Sequence, residues 1–118
     1  MQDPLLHGIR LFNQRQFFVC HEVLEEIWRP ARGPRRYFLQ SVIHLAVGFY
    51  HFERGNQAGA VRQLRKGLRK LAGYLPACEN IDTALLYRES LERLETIQHG
   101  RTFAAFPNIV LLESNHSR

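Results

Sequence analysis

Cysteine is scarce in this chain of 118 residues. Cys20 and Cys78 are the only two, in apolar or loop surroundings and with no CxxC spacing. They support neither a disulfide framework nor a cysteine metal knuckle, and both read as free thiols of a reducing cytosol. Cys20 precedes His21, but side chains at i and i+1 point about 100° apart on a helix, so the two cannot form an activated thiol pair. No glycine-rich phosphate loop is present; Gly55-Asn56-x-x-Gly59-Ala60 reads as a tight turn with close helix packing. The HExxH spacing of zinc proteases is missing, as are the paired Glu-x-x-His units of di-iron bundles. The most apolar stretch, residues 42–52, is too short to cross a bilayer and is interrupted by His44 and His51. The opening "MQDPLLHGIR" carries an acid and a proline where a secretory leader has a basic region and a long apolar stretch. A cytoplasmic protein with no membrane partner is expected.

What is present is a chain 45% hydrophobic, enough for one core, so residues 1–118 are expected to form a single domain. Asp3-Pro4 is a helix start: the carboxylate accepts from an orphan N–H, and proline gives up a donor that had no partner. A first helix follows over 4–13. In the second, Phe17, Cys20, Leu24, Ile27 and Trp28 recur on one face until Pro30, Gly33 and Pro34 end it. A third, over 35–54, is apolar almost all round and belongs at the centre of a bundle. Gly55 and Asn56 separate it from a fourth over 57–72, with Val61, Leu64, Leu68 and Leu71 inward. Asp82 caps a fifth, and "RTFAAFPNIVLL" lies extended over the bundle, its last few polar residues loose. Residues 12–28 laid on 52–68 match Phe12 with Phe52, Cys20 with Ala60, Leu24 with Leu64 and Trp28 with Leu68, a forty-residue period, and two helical hairpins of this kind resemble tetratricopeptide-type units in their packing. The fold class is therefore all-α, a compact bundle of about five helices built on two antiparallel helical hairpins, with an extended C-terminal tail.

Against this apolar pattern stand a few polar residues. His21 lies between Phe17, Leu24 and Trp28 on the helical wheel, with Glu25 one turn on and Glu22 farther out. On the third helix Tyr37, Gln40, His44, Val47 and His51 share a narrow line. If these helices are antiparallel neighbours, His21, Glu22, Glu25, Gln40 and His44 form a polar cluster, with His51 a more distant member. Two readings follow. The first is a hydrogen-bonded network at the centre of a binding module for a protein or small ligand, because buried polar groups must be paired whatever they do. The second is a metal-dependent enzyme, such as a hydrolase, in which His21 and Glu25 hold a divalent metal and Glu22 is a general base.

The formal charge of +5 attracts anions, and Arg62, Arg65, Lys66, Arg69 and Lys70 share one side of the fourth helix. Phosphate contact needs little more than such density. A basic helix face is more often merely solvated, however, and without a recognised binding motif nucleic acid is admitted as a partner but disfavoured.

The blocks "LFNQRQFFVCHEVLEEIWR" and "YFLQSVIHLAVGFYHFERGNQAGAVRQLRKGLRKL", covering most of residues 11–71, resemble the family catalogued as domain of unknown function 309. Its pattern runs F-N-x-x-x-F/Y-F-x-x-H-E-x-L-E-x-x-W, then F-L-Q-x-x-I-x-x-A, then G-N-x-x-G-A. The resemblance marks Phe12, Asn13, Phe17 or Phe18, His21, Glu22, Leu24, Glu25 and Trp28, then Phe38, Leu39, Gln40, Ile43 and Ala46, then Gly55, Asn56, Gly59 and Ala60. His44 departs from it, standing where members more often carry glutamine. The resemblance implies a compact helical bundle and brings no established activity with it.

Overall fold

A computed structural model of the chain describes residues 3–112, so the expected loose polar end lies outside the described residues. Helix α1 (Pro4–Asn13) starts as the sequence predicts: Asp3 Oδ1 accepts from Leu5 N at 2.9 Å, with proline in the first turn. It is followed by α2 (Phe17–Trp28), α3 (Gly33–Glu53) and α4 (Gln57–Leu71). Asn56 caps α4 through Gly59 N at 2.9 Å. A 3₁₀ turn (Ala72–Tyr74) leads to two short antiparallel strands, β1 (Ala77–Cys78) and β2 (Ile81–Asp82), and then to α5 (Thr83–Gln98), capped by Asp82 through Leu85 N at 2.9 Å. The all-α bundle with an extended tail is thus present.

Two local features differ from the sequence-based expectation. Helix α3 begins at Gly33, two residues early, because Pro34 occupies its first turn, where a missing N–H costs nothing. Where Gly73 and Pro76 point to a loop leading to Asp82, the chain forms the β1–β2 hairpin; two-residue strands are too short to show a period, and its turn uses left-handed backbone at Glu79 (φ 51°) and Asn80 (φ 65°).

Helix α3 is the axis of the molecule. Phe38, Leu39, Val42, Leu45, Ala46 and Phe49 are all buried, with α2 and α4 packed along it. Burying each phenylalanine contributes roughly 1.5–3 kcal/mol. The forty-residue period is structural. Gln14 N, Arg15 N and Gln16 N bond to Arg10 O, Phe12 O and Leu11 O; forty residues on, Arg54 N, Gly55 N and Asn56 N bond to Tyr50 O, Phe52 O and His51 O. Both turns pass through left-handed backbone, at Arg15 (φ 63°) and Gly55 (φ 77°). Gly8 lies against Leu24, and Gly48 against Leu64, so closely that a Cβ on either glycine would stand 2.6 Å and 2.8 Å from a leucine carbon.

The tail closes the open end of this pair of hairpins. Asn13 Nδ2 donates to Ile109 O at 2.9 Å, and Ile109 N donates to Asn13 Oδ1 at 2.7 Å, so one side chain serves as a strand partner. Phe103 stacks on Phe52 with centroids 4.6 Å apart, and Phe106 meets Phe17 and Phe49 edge-on. Beyond them, Ile81 and Leu111 form an antiparallel bridge.

Candidate functional site

The first turn of α2 exposes two apolar side chains, Phe18 at 48% and Val19 at 42%. Between this turn and the C-terminal half of α3 is a cavity of about 210 Å³, lined by Phe17, Phe18, His21, Val47, Tyr50 and His51. Phe18 is one wall of it, its ring 5.2 Å from His21 and 5.3 Å from Tyr50. On the other side of His21 lies a polar depression of about 360 Å³, lined by Val19, Val23, Glu22, Glu25, Glu26 and Arg29 as well as His21 itself. The imidazole is therefore a wall shared by an apolar cavity and an acidic one.

Both of its ring nitrogens face acceptor oxygens. Nδ1 is 3.0 Å from Phe18 O and Nε2 is 3.5 Å from Glu25 Oε2, while Glu25 Oε1 is 3.8 Å from Arg29. A neutral imidazole donates to only one of these two acceptors. Glu22 and Glu26 are exposed and, among the described residues, have no ion-pair partner. Cys20, on the same helix, is buried; its Sγ donates to Gly8 O at 3.3 Å, and burial pushes the thiol up to about 12, so it is core and not a nucleophile.

The structure divides the expected polar cluster. His21 and Glu25 pair with one another, but Gln40 and His44 border α4: His44 Nδ1 is 2.8 Å from Gln63 Oε1, and both residues line a depression of about 340 Å³ with Lys66, Arg69 and Lys70. The stripe along α3 is continuous, but packed helices cross at an angle, so its N-terminal half meets α4 and its C-terminal half meets α2. His51, the distant member by sequence, joins His21. Tyr50, a wall of the cavity, escapes sequence reasoning as a site residue because a partly exposed aromatic does not disturb a helical period, and Phe18 enters only through the family pattern, as Phe17 or Phe18.

The donor set for a divalent metal does not come together. A catalytic zinc centre needs three protein ligands, and among the described residues no three His, Cys, Asp or Glu side chains stand where they could hold an ion. His21 and Glu25, with Nε2 and Oε2 3.5 Å apart, supply two.

The fourth-helix cations are where the sequence places them. Arg62, Arg65, Lys66 and Arg69 are exposed, and Lys70 Nζ stands 5.6 Å from the ring centroid of Tyr37.

Two comparisons with known proteins bear on this arrangement. The chain is 36% identical over 100 residues to the Uncharacterized protein YpuF of Bacillus subtilis (strain 168), an alignment covering 82% of this chain and 56% of that protein. The chain thus spans little more than half the length of this relative. Residues 5–63, from α1 into α4, match the model of the family described as Domain of unknown function (DUF309). That stretch holds both hairpin turns and every wall of the His21 cavity. The chain belongs to the DUF309 family.

Proposed function

We propose that this chain is a protein-interaction module whose α2–α3 cavity takes one bulky apolar side chain of a partner segment, while Glu22 and Glu26 take a lysine or arginine beside it. The observation that carries this is the double role of His21 as a wall of both depressions. An apolar cavity of roughly 150 Å³ accepts a benzene-sized group, so about 210 Å³ suits one aromatic or branched side chain. An anchor in an apolar pocket with polar surroundings is the usual energetic centre of a protein interface. Charge complementarity at the rim adds orientation and association rate more than affinity. Phe18, exposed and in ring contact with His21 and Tyr50, supplies an aromatic edge against which the anchor can pack.

The test uses a short designed peptide with one tryptophan between arginines, and a second with glutamates replacing the arginines. Calorimetric titration should detect the first and not the second. Val47→Trp, which fills the cavity from its α3 wall, should weaken binding at least tenfold, about 1.4 kcal/mol. Glu22→Lys with Glu26→Lys should slow association and reverse its salt dependence. Equal binding of both peptides, or an unchanged affinity in Val47→Trp whose melting temperature is preserved, contradicts the reading.

A further inference from the structure

We propose that the outward side of α4, together with Tyr37, Gln40 and His44 of α3, is a binding surface for single-stranded nucleic acid. The inference is independent of the α2–α3 cavity, with which it shares no residue.

The row Arg62, Arg65, Lys66, Arg69 and Lys70 spans about 12 Å of helix at 1.5 Å per residue. Its members stand at three- and four-residue spacings, where like charges repel. Among the described residues none has a carboxylate within ion-pair distance, although the acids of α5 follow in the chain. Folding alone does not call for this arrangement. A multiply charged anion relieves it.

The shape around the row narrows the anion. The cations form a ridge between two depressions. One, a shallow trough of about 770 Å³ towards the end of α5, adds the amides of Gln57 and Gln98; the other, about 340 Å³, adds Gln40 and His44. Gln57 Nε2 donates to Ile97 O and His44 Nδ1 meets Gln63 Oε1, so the flanks present Gln98, Gln40, Gln57 Oε1 and His44 Nε2 as the groups that can meet base edges and sugars as well as phosphates. At the Lys70 end stands Tyr37, 57% exposed, an aromatic surface beside a cation. A phosphate-tracking row of cations with an aromatic stacking platform is the physical requirement of single-strand binding. A lipid surface fits less well, since Leu64, Leu68 and Leu71 of α4 are buried in the core and nothing apolar on the row can insert. An acidic polypeptide would satisfy the cations but leave Tyr37 unused.

The full chain should be titrated into a labelled, mixed-sequence single-stranded DNA of about 12 nucleotides, within the usual site-size range, with anisotropy read across a salt series. The expected slope of log K against log salt is about −3, from roughly four phosphates at 0.7 each. Arg65→Glu with Arg69→Glu should abolish binding while circular dichroism stays unchanged. Tyr37→Ala should weaken it about tenfold with the slope unaltered. Absence of binding at low salt overturns the proposal. So does a Tyr37→Ala variant of full affinity, a preference for duplex over single strand, or equal competition by polyglutamate, which would assign the row to an acidic protein partner.

Discussion

Among single residues, His44 shows how surroundings set chemistry. Burial first, and after it the ammonium groups of Lys70 and Lys66, hold its imidazole below the usual range, against the bond to Gln63 that pulls upward. The unfolded chain, with an ordinary imidazole near 6.5, therefore takes up a proton before the folded one as pH falls. His44 contributes its full stability above that pH and loses it on the way down to the folded value. In His44→Gln, urea unfolding should show a smaller loss of stability between pH 7 and pH 5 than in the parent chain; an equal loss would mean that His44 does not titrate in this way. At this scale the helix caps were readable in advance, since Asp3, Asn56 and Asp82 act on a backbone N–H two or three residues away. The partner of His44 was not, because Gln63 is nineteen residues distant and is brought there by a helix crossing.

Between elements, the least yielding constraint is the approach of α3 to α4 at Gly67, where the facing atom is backbone. A Cβ on Gly67 would stand 2.9 Å from Ser41 O, a backbone atom that cannot swing aside, and 2.9 Å from Leu45 Cδ2. Gly67→Ala gains about 1 kcal/mol of helix propensity but incurs roughly 1–3 kcal/mol of overpacking. A net loss of about 1 kcal/mol is expected in chemical denaturation, and a net gain would show that the helices can separate freely. The forty-residue period could be read from Phe12, Cys20 and Leu24 against Phe52, Ala60 and Leu64. The glycines that enforce it, Gly8 and Gly48, fall outside the aligned stretch and carry no hydrophobic signal. The tail was legible as extended, but its anchor on Asn13 was not: 96 residues separate the partners, and an amide side chain replacing a strand leaves no periodic trace.

In the whole molecule, α3 separates two surfaces of opposite character. The α2 side offers an apolar cavity bordered by Glu22, Glu25 and Glu26, and the α4 side offers a row of cations bordered by amides. The molecule measures 47 × 29 × 25 Å, long enough to present both at once. The composition, near balance with a modest positive excess, hides this separation, because a net charge sums over faces that helix packing keeps apart. The proposed interaction depends on the His21 imidazole, which divides the apolar cavity from the acidic depression. Its most direct measurement is an amide chemical-shift map of the chain titrated with the arginine–tryptophan peptide. Saturable shifts confined to Phe18, His21, Glu22, Val47 and Tyr50, lost in Val47→Trp, are the predicted result; shifts that are absent there, or spread evenly over the surface, would contradict it.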